Sequence, residues 1–471
     1  MIIGLLLGAM PLEAASLGSA LAAEVRRARR TATEVAVHIA ELDSGRTIYE
    51  WEADRGMIVA SNVKLVTTAA ALEELGPDYI LETQALLRGR LIDGVLHGDV
   101  AVIGSGDATI SGRFFEGDPM AVLRQWARRL KELGVRALDG DLYLVHGFFD
   151  DELVHRDWPQ DQLARWYEAP VDALSFSDNC ILVRIVPGAR RGSRAMVQVV
   201  PDLDFVHVEG TVVTTDSVRR HHVMVDREPG SDTIRIAGQI LRSAPPVETW
   251  VTIDDPARYF GSALVKALEI EGIRGVRHIR SVETLPSGPW RTAITYRSDL
   301  LTMIEVTNRR SQNYFAESLL KGLGARRCDS GSWRGGLEVL AEFLRRVGVD
   351  AGYRLVDGSG MSRNNVFSAR HLTRLLTYMS AHRWSREFLG SLPYSGYEDH
   401  PRWRTRLAEA PYRGNVVAKT GSLRGVSTIS GYANGVSGTT YVFSVLCNGA
   451  GSIRDARRAQ DRILRALIDH G

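Results

Sequence analysis

Five lysines stand among the 58 basic residues of this chain: Lys64, Lys131, Lys266, Lys321 and Lys419. Arginine keeps its proton at any working pH, whereas a lysine amine gives it up when desolvated or crowded by another cation. A sequence that otherwise writes Arg therefore reserves Lys for places where an amine must act as a base or as a compact charge. Two of the five sit in short motifs with that capacity. Ser61-Asn62-Val63-Lys64 sets a hydroxyl and an amine one helical turn apart on a common face. Lys419-Thr420-Gly421 joins an ammonium to a hydroxyl and to a glycine that lets a strand approach a ligand closely. With so few lysines, Lys-Thr-Gly arises by chance only about 0.03 times in a chain of this composition. A serine hydroxyl is a weak nucleophile until a neighbour takes its proton, and Lys64 is spaced to take it. The chemistry these residues point to is acyl transfer through serine.

Each motif has weaker copies. Ser318-Leu319-Leu320-Lys321 repeats the Ser-x-x-Lys spacing and reads as a helix surface. Ser-x-Asn occurs at Ser177-Asp178-Asn179, Ser311-Gln312-Asn313 and Ser362-Arg363-Asn364. Other chemistries find less support. Three cysteines form no disulfide framework, and no His-Glu-x-x-His appears, so neither metal nor cofactor is expected. Strict Gly-x-Ser-x-Gly, the mark of α/β-hydrolases, is missing. A net charge of +2 gives no electrostatic case for nucleic acid. No segment offers the roughly 20 apolar residues of a transmembrane span. Residues 1–22 read as a signal peptide, with an apolar run from Ile2 to Met10 and a small-x-small site at Ala20-Leu21-Ala22; export to the periplasm or cell-wall space follows.

The elements that must position these groups show in the hydrophobic pattern. Val35 to Trp51 alternates around Asp43-Ser44-Gly45 and predicts a hairpin. Ser61 to Leu75 turns helical and stops at Gly76-Pro77. From about Leu81 to Leu285, short β-rich runs alternate with turns, and helices are predicted at Met120 to Leu133 and Pro256 to Glu271. Helical texture resumes at Leu300 to Lys321, Gly335 to Val347 and Ala369 to Ala381. Val416 to Tyr432 and Thr440 to Asn448 predict two adjacent core strands, and Ile453 to Ile468 a closing amphipathic helix.

Ordered Ser-x-x-Lys, Ser-x-Asn and Lys-Thr-Gly motifs are the signature of penicillin-binding proteins and serine β-lactamases. The flanks narrow the resemblance. Ala60-Ser61-Asn62-Val63-Lys64-Leu65-Val66 resembles the first motif of the low-molecular-mass class C penicillin-binding proteins, the D-Ala-D-Ala carboxypeptidases and endopeptidases of peptidase family S13. Ser311-Gln312-Asn313-Tyr314-Phe315-Ala316-Glu317 is similar to its second motif and Ala418-Lys419-Thr420-Gly421-Ser422-Leu423 to its third. Asp357-Gly358-Ser359-Gly360-Met361-Ser362-Arg363 resembles its Asp-Gly-Ser-Gly-Leu-Ser-Arg segment. Gly104 to Thr109 and Ala169 to Asn179 look like parts of its inserted region, with Ala108 where Pro is usual. The likeness runs from about Val35 to the C-terminus.

This resemblance implies an α+β fold: a penicillin-binding/serine β-lactamase-like transpeptidase domain, an antiparallel sheet packed with helices, interrupted by a large β-rich insertion. The expected segments are 23–84 with 290–471 for that domain, and 85–289 for an accessory region of two small domains. It implies a D-alanyl-D-alanine carboxypeptidase or DD-endopeptidase acting on peptidoglycan stem peptides, acylated on Ser61 and inhibited by β-lactams. Catalytic roles would fall to Ser61, Lys64, Ser311, Asn313 and Lys419, with Lys64 made basic at neutral pH by burial and by the charge of Lys419. Thr420, Gly421 and Ser422 would help Lys419 hold the terminal carboxylate, and the Ser61 and Ser422 N–H groups would form the oxyanion hole. Arg363, Asp161, Trp158 and Trp166, with Tyr167, would line a pocket for the stem-peptide side chain. The competing readings are a catalytically idle wall-binding protein on the same fold and a β-lactamase.

Overall fold

The computed structural model describes residues 16–329, 331–397 and 403–471. They form two compact units: the chain up to Val59 with Phe367–Tyr378 and Pro393–Gly471, and Ala60–Val366 with Met379–Leu392.

The first unit is built from both chain ends. Its sheet runs Val416–Leu423, Val426–Asn434, Thr440–Ala450, Ala32–Glu41 and Thr47–Trp51 in spatial order, antiparallel throughout. The predicted hairpin is present, turning at Gly45 with φ +68. The predicted single strand from Val416 to Tyr432 is instead a hairpin that turns at Arg424-Gly425, where Gly425 takes φ +73. Helices Leu17–Ala28 and Ile453–His470 share an apolar core with this sheet, in which Leu21, Val25 and Ala28 meet Ile463, Leu464 and Leu467. Ser16 caps the first helix and Ser452 the last, each accepting an N–H three residues on. Most of the expected signal peptide, residues 1–15, lies outside the described residues. Its remainder opens the helix Leu17–Ala28, in which Leu21, Val25 and Ala28 are buried.

The second unit joins helices to the β-rich region. A five-stranded sheet runs Arg274–Val282, Ala137–Val145, Val95–Ile103, Ile80–Ile92 and Arg291–Asp299. Two three-stranded sheets follow, one of His207–Thr215, His222–Arg227 and Thr233–Leu241, the other of Cys180–Val186, Met196–Val200 and Val247–Thr252. Position 84/85 falls inside the strand Ile80–Ile92, which pairs along its first half with Arg291–Asp299, so the β-rich region runs from Ile80 to Asp299. Its apolar side chains, from Ala85 to Ile273, form one contiguous cluster.

The stretch Leu300 to Lys321 is two helices, Leu300–Arg309 and Asn313–Arg327, parted by Ser311 at φ +57. Helix Val63–Leu75 is preceded by a 3-10 turn, Ala60–Asn62, so Ser61 lies in the turn and Lys64 in the first turn of the α-helix. Every residue from Val63 to Leu72 is buried. Among the described residues no helix is long and apolar enough to cross a membrane.

Candidate active site

Lys64 is fully buried in the second unit. Its Nζ lies 3.1 Å from Ser61 Oγ, 2.7 Å from Asn313 Oδ1 and 2.6 Å from the Ser359 carbonyl oxygen. Asn313 cannot present its NH2 to the amine, because Nδ2 donates to the Tyr167 carbonyl at 2.8 Å. The two carbonyl oxygens therefore take two N–H groups, and the third position of the amine faces Ser61. An ammonium donates there; a neutral amine offers its lone pair to the serine proton. Burial pulls the Lys64 pKa down from 10.5 to about 7, against the opposing charges of Glu317 and Asp357. Burial is the largest cause.

The chain around Ser61 is shaped for this. Ala60 adopts φ +47, a left-handed conformation that a non-glycine residue holds only under tertiary constraint. The constraint is the loop 357–362. Gly360 sits at φ +79, where an added Cβ would stand 1.9 Å from the Ala60 carbonyl oxygen and 3.0 Å from the Ser61 nitrogen. Thr67 Oγ1 donates to Gly358 O at 2.7 Å, fastening the same loop to the helix of Lys64.

Ser311 precedes the helix that begins with Asn313, and its own left-handed backbone ends the previous helix. Ser318 and Lys321, read from sequence as a helix surface, are 2% and 0% exposed. Lys321 Nζ pairs with Asp150 Oδ1 at 2.7 Å and lies 4.4 Å from the Trp333 ring centre. It is a structural cation of the interior.

The expected side-chain pocket divides. Trp158 is 2% exposed, and its Nε1–H is spent on Asp357 Oδ2 at 3.2 Å. It braces the loop 357–362. Trp166 is 43% exposed and meets Tyr167 edge to face at 5.6 Å. Asp161 and Arg363 are exposed. Asn364, next to Arg363, donates to Asp157 Oδ2 at 2.9 Å, so the 157–168 segment and the 357–365 loop are joined at two points.

In the first unit Lys419 is 1% exposed on the strand Val416–Leu423, with Nζ donating to the Thr420 carbonyl at 2.9 Å. Thr420 and Gly421 pair with Ile429 and Thr428 of the next strand, and Ser422 Oγ accepts from Arg457 at 2.9 Å. Asn448 grips both backbone groups of Ile58, at 2.9 and 3.0 Å, and Thr428 Oγ1 donates to Val59 O at 2.9 Å. Ile58 and Val59 are thereby tied to this sheet. Sequence reasoning gave no part to Arg457, Asn448, Asp357 or Glu317; only the three-dimensional neighbours expose them.

The sequence model described as the D-Ala-D-Ala carboxypeptidase 3 (S13) family matches residues 17–467. A D-alanyl-D-alanine carboxypeptidase of Actinomadura sp. (strain R39) is 31% identical over 428 residues, 88% of this chain and 77% of the relative. The crystal structure of penicillin binding protein 4 (dacB) from Haemophilus influenzae matches with a TM-score of 0.81 at 21% identity, over 93% of this chain and 99% of that one. Its complex with a β-lactam matches with a TM-score of 0.75 at 20% identity, over 93% and 98%. At that identity the two solved structures speak for the fold.

Proposed function

Given that the chain belongs to the D-Ala-D-Ala carboxypeptidase 3 (S13) family, we propose that it is a serine D-alanyl-D-alanine carboxypeptidase and endopeptidase of peptidoglycan stem peptides. The observation that carries this reading is the Lys64 amine, buried, held by two carbonyl oxygens and 3.1 Å from Ser61 Oγ. With its pKa near 7 a substantial fraction is neutral at physiological pH and able to act as a base.

Ser61 Oγ attacks the carbonyl carbon of the penultimate D-alanine while its proton passes to Lys64 Nζ. The tetrahedral intermediate collapses, the C–N bond breaks, and the proton reaches the departing amine through Ser311. Water then hydrolyses the Ser61 ester, releasing the shortened peptide and restoring the hydroxyl. When the departing amine is a free D-alanine the step is carboxypeptidase action; when it belongs to a neighbouring stem the same step opens a cross-link. Asn313 and the Lys419-Thr420-Gly421-Ser422 strand take the substrate amide and its carboxylate, and Arg363, Asp161 and Trp166 contact the stem side chain. A β-lactam offers the same acyl carbon in a ring whose leaving group stays attached, so it acylates Ser61 and remains. The substrate lies outside the cytoplasm, and export follows.

Intact-protein mass after incubation with benzylpenicillin, for the wild type and Ser61→Ala, tests this reading. A stable adduct on the wild type alone supports it. No adduct with the drug intact refutes it and favours the idle wall-binding protein, whereas no adduct with the drug consumed indicates a β-lactamase.

A further inference from the structure

Two fully buried carboxylates behind Lys64 have no part in the chemistry above. Glu317 lies one turn beyond Asn313 on the same helix. Its oxygens accept Trp333 Nε1–H at 2.8 Å, Gly358 N–H at 2.9 Å and Ser359 N–H at 2.8 Å. Asp357 accepts Gly360 N–H at 2.7 Å, Ser362 N–H at 2.6 Å, Asn365 Nδ2 at 2.8 Å and Trp158 Nε1–H at 3.2 Å. The two indoles pack edge to face with centroids 5.9 Å apart. Asp357 mainly closes its own loop. Glu317 comes from another element and ties that loop to the helix carrying Asn313.

The consequence falls on Lys64. Its two carbonyl partners are Asn313 Oδ1 and Ser359 O. One is borne by the helix Asn313–Arg327, and the other belongs to the residue whose N–H Glu317 holds. A single rigid helix thus fixes both acceptors and leaves the amine one free direction, toward Ser61. A buried amine without compensation loses basicity, and a base of too low pKa takes a proton poorly. The charged groups acting on Lys64 are Glu317 and Asp357, and both raise its pKa. Burial first, and then the charge of Asp357, push the Glu317 carboxyl upward, while the three N–H donors favour its ionised form. Lys321, one turn further on, is engaged by Asp150 and by the far side of Trp333.

Resting on the serine acyl-transfer reading, we propose that Glu317 is a positioning residue for the base. Its carboxylate clamps the 358–359 peptide so that the Lys64 lone pair is directed at Ser61, and its charge keeps that amine basic enough to accept the proton.

The test is the second-order rate of acylation by a fluorescent penicillin from pH 5.5 to 9, for wild type, Glu317→Gln and Trp333→Phe, with circular dichroism to identify folded variants. Glu317→Gln removes a charge that raises the Lys64 pKa, so the acid limb moves to lower pH, by about one unit, while the plateau rate falls about tenfold or more. Trp333→Phe keeps the carboxylate but removes one donor, so the average charge falls and the limb moves the same way by less. A folded Glu317→Gln whose limb stays in place, whether slowed or not, makes Glu317 a structural brace and overturns the proposal. Should that variant fail to fold, an unmoved limb in Trp333→Phe overturns it. A wild type that is never acylated refutes the serine reading itself, a separate outcome.

Discussion

Asn313 Oδ1 accepts a hydrogen bond from Lys64 Nζ at 2.7 Å across 249 residues of sequence, and the Tyr167 carbonyl, at 2.8 Å from Asn313 Nδ2, keeps the amide from turning over. The orientation of this one amide decides whether Lys64 meets an acceptor or a donor. An acceptor there uses one N–H of the amine, and the Ser359 carbonyl uses another. What remains faces Ser61 Oγ at 3.1 Å, where the proposed reaction exchanges the proton.

The pH dependence of acylation follows. In the proposed reaction the neutral amine is the active form, and the Lys64 pKa is near 7, so the rate rises with pH through a midpoint near 7 and levels above it. Lys64→Arg substitutes a cation that keeps its proton throughout, and the acylation rate falls by about 10³-fold with no recovery at pH 9. Stopped-flow acylation across pH measures both. A midpoint near 10 would mean that the amine is not desolvated as described.

Gly360→Ala tests the backbone beneath the nucleophile. The added Cβ would stand 1.9 Å from the Ala60 carbonyl oxygen, on a residue at φ +79. Neither the carbonyl nor the loop can yield without moving Ser61. The expected result is a stability loss of about 2–4 kcal/mol and acylation reduced by about 10²-fold or more. Thermal unfolding and penicillin labelling, measured on the same sample, check the pair. Labelling at the wild-type rate would show that the Ala60–Ser61 backbone is not held by this loop.

Much of this was legible in the sequence because lysine is scarce in it. Three of the five, Lys64, Lys321 and Lys419, are at most 1% exposed, which is where a chain rich in Arg has most reason to keep a compact amine. What misled was periodicity. Ser318 and Lys321 looked like a surface because a helix buried on every side, as Asn313–Leu320 is, shows no polar face to read. The single helix expected from Leu300 to Lys321 ran across the polar stretch Asn308 to Asn313, and the left-handed backbone of Ser311 within it leaves no mark in residue type. Residue type also does not separate Trp158 from Trp166, yet one indole is buried on a carboxylate and the other is exposed.

Trp158→Phe separates those two roles. Loss of the indole N–H leaves Asp357 with one donor fewer among its four, a cost of about 1–3 kcal/mol for a buried charged acceptor. The melting temperature should fall while KM for a D-Ala-D-Ala stem peptide stays within about twofold. A raised KM with unchanged stability would return Trp158 to the substrate pocket.

Glu168 provides the last test, and its sign is fixed by linkage. The side chain is fully buried beside the Asn313–Tyr167 contact, and neither carboxylate oxygen has a hydrogen-bond partner among the described residues. Burial, with the charge of Asp161 adding to it, pushes the carboxyl from 4.5 up to about 8. Below pH 4.5 the group is protonated in both folded and unfolded chains and favours neither. Between 4.5 and about 8 the unfolded chain ionises while the folded one does not, so stability is lost as pH rises; above 8 the loss is constant. Glu168→Gln carries no such penalty. Its melting temperature should match the wild type near pH 4.5 and exceed it increasingly toward pH 8, where the gap corresponds to about 2–4 kcal/mol. Calorimetry at pH 5 and pH 8.5 measures the gap directly. A gap that does not change with pH would mean that Glu168 ionises in the folded chain as freely as in the unfolded one, and that a polar partner stabilises the charge after all.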